Sequence, residues 1–289
     1  MGLSLSNNNS STGPKFRKKK MSRVSNGPVL WIDFTDRRTV YNDDMATNAA
    51  NSESIYAVSN KAFDKRFGKA NNTALGVALK QATANKRPTY TSNVDQPYAT
   101  FDTSPDTNSL FANELVGNVS SGVLSQSRLH GEAVTLFIVF NLINSSGTCN
   151  LFTMKAGDGA GGQDPLAFQI STDQNVKMFI GDQSDKSGTV MLDSTETIVS
   201  NELQLWTVKL AGSGAAVIRK NGDPSSGVAN GSGKDHTYAF DVNANHLIEI
   251  GAHVNGLRMY EIILFNERLS NGKIVEVERQ LKQKYKLDI

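Results

Sequence analysis

The run Val134-Thr-Leu-Phe-Ile-Val-Phe-Asn-Leu142 constrains the fold more than any other stretch of the chain. β-Branched and aromatic residues dominate it, Gly and Pro are absent, and it is too short for a helix buried on every side. It predicts a strand covered on both faces, at the centre of a β domain. Further runs follow at the spacing of a sandwich: 149–154, 166–171, 176–180, 203–210, 215–219, 247–252 and 257–265. Within 203–210, Gln204, Trp206 and Val208 alternate with Leu203, Leu205, Thr207 and Lys209, the period of a strand. Asn221-Gly222 tolerates positive φ at both positions, which predicts a two-residue turn.

Upstream, order is expected from Pro28 on, with a strand over Val29–Phe34 that Thr35-Asp36 turns away. Residues 42–97 are polar and show no sustained period, so long, partly irregular excursions are expected, with one short strand near 55–58. Tyr98–Asp102 reads as another strand. The period changes near the end. Ser270 is placed to cap a helix over 270–286, in which Ile274, Val277, Leu281 and Tyr285 form one apolar stripe. Lys273, Glu276, Arg279, Lys282 and Lys286 fall on the other side.

The chain has 289 residues and 38% hydrophobic content, which suits a sandwich with polar outer faces. The expected organisation is an extended arm over 1–27 and one domain over 28–289. The charge is uneven. Residues 1–25 carry six cations and no acid, leaving 24 basic against 28 acidic residues elsewhere. A Ser/Asn tract, Gly13-Pro14 and this basic cluster are the composition of a segment that orders only on a partner.

Lys15, Phe16, Arg17, Lys18, Lys19, Lys20 and Arg23 are the residues expected to anchor the arm on another protein. Nucleic acid is a poorer match, because Phe16 alone interleaves with the charges. Met1-Gly2-Leu3-Ser4-Leu5-Ser6 matches a myristoylation pattern and is read as chance. No run approaches the ~20 apolar residues of a membrane span, and the start lacks the apolar stretch of a secretory signal. The single Cys149 has no disulfide partner in the chain and is expected to be buried.

Three short motifs carry a resemblance. Leu30-Trp31-Ile32-Asp33-Phe34-Thr35-Asp36 matches an L-W-x-D-x-x-D opening, and Arg87-Pro88-Thr89-Tyr90 before Ala99–Asp102 matches an R-P-x-Y element. Tyr260–Ser270 followed by Leu281-Lys282-Gln283-Lys284-Tyr285 matches an E-I-I-x-x-N-x-x-L-S ending that closes on K-Y. In this order the motifs resemble the concanavalin A-like, laminin-G-like domains common in bacteriophage virion proteins and bacterial surface proteins. The match runs from Leu30 to Ile289. It implies an all-β, two-sheet antiparallel jelly-roll sandwich with a C-terminal amphipathic helix. One departure is Lys273, where the family usually has an acid that completes a capping box.

The scaffold alone does not choose a function. Glycanases built on it place paired acids on one strand as E-x-D-x-E, and this chain has no such triplet. Asp33 and Asp36 belong to the opening motif, so no catalytic residue is assigned. His130, His236, His246 and His253 form no ligand spacing, and no metal or cofactor is expected. The Gly-rich stretch 157–164 offers the best ligand loop, with Asp158, Gln163 and Asp164 able to meet sugar hydroxyls or Ca²⁺; a plain surface hairpin is the alternative.

Together these features suggest a non-enzymatic structural protein of a phage virion, a capsid decoration or tail-associated subunit assembled in the host cytoplasm. The arm would bind other virion proteins in a multi-copy assembly. The alternative is a carbohydrate-binding adhesin that contacts host surface glycans through sandwich loops.

Overall fold

The computed structural model describes residues 27–62, 78–102, 110–111, 133–143, 149–156, 166–182, 185–211, 217–223, 227–228, 246–252, 256–265 and 267–287. The strands are β1 (Leu30–Asp33), β2 (Val40–Tyr41), β3 (Ala57–Ser59), β4 (Ala78–Lys80), β5 (Thr89–Thr91), β6 (Tyr98–Phe101) and β7 (Leu110–Phe111). They continue with β8 (Ala133–Leu142), β9 (Cys149–Ala156), β10 (Leu166–Ile170), β11 (Asn175–Asp182) and β12 (Asp185–Thr197). The last are β13 (Leu203–Ala211), β14 (Val217–Lys220), β15 (Gly227–Val228), β16 (His246–Ala252) and β17 (Leu257–Phe265), followed by helix α1 (Asn271–Tyr285). Every pairing between these strands is antiparallel.

Two sheets form the sandwich. The first runs β14-β13-β8-β17-β6-β5, with β1 on β17 beyond the end of β6; the second runs β15-β12-β11-β10-β9-β16-β7-β4-β3-β2. The expected all-β jelly-roll-like architecture with a terminal helix is therefore present. Strand β8 lies between β13 and β17 and is buried on both faces. Leu136, Ile138 and Phe140 enter the core between the sheets, while Phe137 and Val139 belong to a second apolar cluster beneath α1. The sheets come close together at Gly251 of β16. Its φ is +78°, and an added Cβ would stand 2.1 Å from Phe101 Cδ1 of the opposite sheet.

Three expectations need correction. Residues 40–97 are more regular than their composition suggests: besides Ala57–Ser59, which overlaps the short strand expected near 55–58, Val40–Tyr41, Ala78–Lys80 and Thr89–Thr91 are strands. Each has two or three residues, too few to show a period, and pairing decides them rather than side-chain pattern. The 13-residue β12 was not expected from its mostly polar composition, yet it pairs along β11 through three register shifts. The two-residue strands β7 and β15 were not anticipated either.

The Asn221-Gly222 turn is present. Both residues have positive φ, and Asp223 N–H bonds to Lys220 O at 2.9 Å. Helix α1 starts where expected, with Ser270 Oγ accepting from Lys273 N at 3.4 Å. It ends at left-handed Lys286, where Leu287 N–H returns to Lys282 O. Ile274, Val277, Leu281 and Tyr285 are buried as the periodicity predicts, and Glu278 is buried with them.

Candidate functional site

The residues most able to do chemistry gather where β1, β17 and the end of α1 meet. Asp33 stands directly opposite Glu261 in the β1–β17 ladder. Glu261 faces the helix because the β17–β8 register shifts between Met259 and Glu261. Tyr260 beside it also packs beneath the helix. Two carboxylates thus share one buried place, which their mutual repulsion would forbid without cations.

The cations come from far along the chain. Lys284 Nζ lies 2.6 Å from Glu261 Oε2 and 3.0 Å from Asp33 Oδ2. Lys61 Nζ lies 2.9 Å from Asp33 Oδ2 and 3.2 Å from Asp36 Oδ2, and sits over the Trp31 ring. Arg38 pairs with Asp36 at 2.8 Å on the exposed side. Uncharged donors complete the set. Thr35 N and Oγ1 donate to Asp33 Oδ1, Trp31 Nε1 to Glu261 Oε1, and Tyr285 OH to Glu261 Oε2.

These contacts set the protonation states. Burial alone would raise Asp33, but Lys284, Lys61 and the Thr35 hydrogen bond outweigh it and hold Asp33 well below the ordinary carboxylate range. Burial and the negative charge of Asp33 push Glu261 upward, against Lys284. Burial would lower Lys61, yet Asp33 and Asp36 keep it above its ordinary value. Burial, then the charge of Glu261, raises Tyr285.

One carboxyl held ionised beside another pushed up is the polarity of a nucleophile and an acid. Occupancy points the other way. All four carboxylate oxygens of Asp33 and Glu261 accept hydrogen bonds from the chain's own groups, and both side chains are nearly inaccessible, at 4% and 1% exposure. The arrangement joins strand to helix, and the chain's own donors hold each of these oxygens.

This network also brings the three short motifs together in space. Trp31, Asp33 and Asp36 of the opening, Glu261 of the last strand, and Lys284-Tyr285 of the ending are all its members. Tyr90 of R-P-x-Y bonds through its OH to Phe34 O at 3.0 Å, fixing the turn after β1. Lys61 carries no sequence signal. It lies in the polar 42–97 stretch, next to Asn60, whose Oδ1 accepts from Trp31 N and so covers the free edge of β1.

A second, smaller tie lies further back on the helix. Glu278 Oε1 is 3.0 Å from Arg219 Nε of β14, and burial pushes the Glu278 carboxyl up against the opposing charge of Arg219. At the helix start, Lys209 Nζ donates to Asn271 Oδ1 at 2.9 Å.

The arm residues Lys15, Phe16, Arg17, Lys18, Lys19, Lys20 and Arg23 lie outside the described residues. So do the loop residues Asp158, Gln163 and Asp164, and also His130, His236 and His253. His246 opens β16. Cys149, the one cysteine of the sequence, is buried in β9. Among the described residues no group of three or more His, Cys, Asp or Glu side chains is arranged to hold a metal ion. No described helix is long and apolar enough to cross a membrane.

No family model matches the chain, and no curated protein matches it in sequence. Solved structures with partial likeness include the receptor-binding domain of a botulinum neurotoxin C/D mosaic, with TM-score 0.48 and 15% identity over 87% of this chain and 51% of that one. Botulinum neurotoxin type C, whose cell entry depends on interaction with two ganglioside molecules, gives 0.49 and 9% over 90% and 53%. Trypanosoma rangeli sialidase gives 0.41 and 12% over 88% and 32%. The chain thus spans about half the length of the toxin domains and about a third of the sialidase. Overlaps of this extent say nothing about activity or ligand.

Proposed function

We propose that this chain is a non-enzymatic binding module, a β-sandwich that recognises carbohydrate at its surface. One observation carries the first half. The two acids that face each other across β1 and β17 are closed in by Lys61, Lys284, Trp31, Thr35 and Tyr285, so they hold the fold together. With this pair given over to the fold, recognition by surfaces displayed on a rigid frame is the role it supports. Carbohydrate is one ligand class taken by domains that this frame resembles, and the loop of Asp158, Gln163 and Asp164 is one candidate contact.

A glycan array probed with the full chain tests this reading, run beside an assay for reducing ends released from polysaccharides. Binding to a subset of glycans with no release is expected. Silence across the array would remove carbohydrate recognition, and release of sugars would remove the non-enzymatic assignment.

The uneven charge favours a second reading, a structural subunit of a phage particle anchored by residues 1–27. On that reading, deleting the arm abolishes loading into particles and leaves a folded domain. Normal loading of the truncated form would exclude it.

A further inference from the structure

Lys209 is the one buried lysine among the described residues, 5% exposed, and it meets no acid there. Lys61 and Lys284, in the network at the other end of α1, both lie against carboxylates. The Lys209 ammonium has a single partner among the described residues, the neutral amide oxygen of Asn271 at 2.9 Å. Burial first, and then the positive charges of Arg268 and Arg219, hold it below the ordinary lysine value.

The fold builds this place from three elements. Lys209 of β13 stands directly opposite Thr135 of β8. Thr135 Oγ1 donates to Glu267 O at 2.9 Å and accepts from Leu269 N at 3.1 Å. The turn over 267–269 is thereby pinned on this part of the sheet and brings Arg268 with it. Arg268 is exposed and has no ion pair among the described residues.

Helix α1 begins directly after that turn. Ser270 satisfies the N–H groups of Lys273 and Ile274, which leaves those of Asn271 and Gly272 without an acceptor among the described residues. Both residues are exposed, and a Cβ added to Gly272 would meet nothing within 4 Å. Glu276, the first acid of the helix, is taken by Lys273 at 3.1 Å. Donors alone therefore face one open spot. Like charges and the positive end of the helix dipole disfavour one another, and an ammonium with a buried stem and no acid adds to that cost. The ammonium is within reach of solutes, because the Asn271 that it touches lies in solvent.

We propose that this end of α1 binds a tetrahedral oxyanion, a phosphate or sulfate group, through Lys209, Arg268 and the backbone N–H groups of Asn271 and Gly272. The site goes beyond the carbohydrate reading and does not depend on it. The two backbone N–H groups meet the anion along the helix axis. The ammonium, with one hydrogen on Asn271 and two to spare, and the guanidinium close on it from the sides. A carboxylate presents two oxygens in one plane, whereas a tetrahedral group turns an oxygen toward each of these donors.

The test is an amide NMR titration of the full chain with inorganic phosphate, inorganic sulfate and chloride at matched ionic strength. Phosphate or sulfate should shift the Asn271 and Gly272 amides to saturation, and chloride should not. Lys209→Met should weaken binding about tenfold or more, the worth of one charge-assisted hydrogen bond. Phosphate should raise the urea unfolding midpoint of wild type and leave that of Lys209→Met where it was. Arg268→Gln changes an exposed residue, keeps the fold intact and should weaken binding severalfold. Tighter binding of phosphate assigns the site to phosphate esters, tighter binding of sulfate to sulfate esters, and both support it. Shifts of the same size in chloride, no shift with either oxyanion, or full affinity in either variant overturns the site.

Discussion

Near its end, α1 sets Lys284 and Tyr285 against a carboxylate pair that four further donors already serve, from Trp31, Thr35 and Lys61. About two turns earlier, Glu278 meets a single guanidinium, Arg219. Both ties are buried and both cross from helix to sheet, but their completeness differs. In the first, every carboxylate oxygen of Asp33 and Glu261 accepts a hydrogen bond. In the second, Arg219 Nε and Glu278 Oε1 stand 3.0 Å apart without hydrogen-bond geometry, and the carboxyl is pushed up toward its neutral form. A buried charge is tolerable in proportion to how fully it is paired, and a carboxyl poorly paired can shed its charge.

The largest expected effect follows from breaking the complete tie. Asp33→Ala leaves Lys61 and Lys284 without their shared acceptor and should destabilise the fold by about 3–5 kcal/mol, read from urea unfolding. Arg219→Met should be milder, about 1–2 kcal/mol, because Glu278 can take a proton when its cation is gone. If the two variants lose equal stability, completeness of pairing is not what separates the ties.

The pH dependence sharpens the contrast, since the two acids are shifted in opposite directions. Asp33 is lowered in the folded state, so its contribution is complete above its ordinary value near 3.8 and drains as pH falls below that. Glu278 is raised, so the folded state loses stability as pH climbs from its ordinary value near 4.5 through the raised one. The stability difference between wild type and Asp33→Asn should therefore grow with rising pH, and that between wild type and Glu278→Gln should shrink. Unfolding titrations from acid to neutrality measure both. Two slopes of the same sign would contradict the assignment.

The two ties were unequally legible in the sequence. Trp31, Asp33, Asp36, Glu261, Lys284 and Tyr285 fall within the short motifs read in the sequence, and all are members of one network of many partners. Their meeting could not be read, since it depends on β1 pairing with β17 across some 230 residues. Arg219 and Glu278 belong to no motif. A lone pair leaves nothing in the chain but one charged residue in a strand and one on the buried side of a helix, and the stripe of Ile274, Val277, Leu281 and Tyr285 gives no sign that Glu278 shares it. The same logic applies to the strands. Val134–Leu142 was plain because both of its faces are buried, whereas β12 and the short strands of 40–91 are held by ladder hydrogen bonds that composition does not reveal.

The smallest effect belongs to the start of the helix, where neither tie reaches. Ser270 Oγ accepts from Lys273 N at 3.4 Å, a long capping bond, and the position from which an acid could answer it holds Lys273, whose ammonium turns to Glu276 at 3.1 Å. Ser270→Ala should therefore destabilise the fold by only about 0.5–1 kcal/mol, the low end for a lost cap. Lys273→Glu should recover a few tenths of a kcal/mol by supplying the reciprocal cap and a favourable charge at the positive end of the dipole, less what is lost with the Glu276 pair. Amide exchange of residues 271–275 separates the effects. Faster exchange there, with residues 281–285 unchanged, is expected for Ser270→Ala if the Lys284 and Glu278 ties hold the rest of α1 without help from its cap. Faster exchange along the entire helix would mean that the cap and the ties act as one cooperative unit.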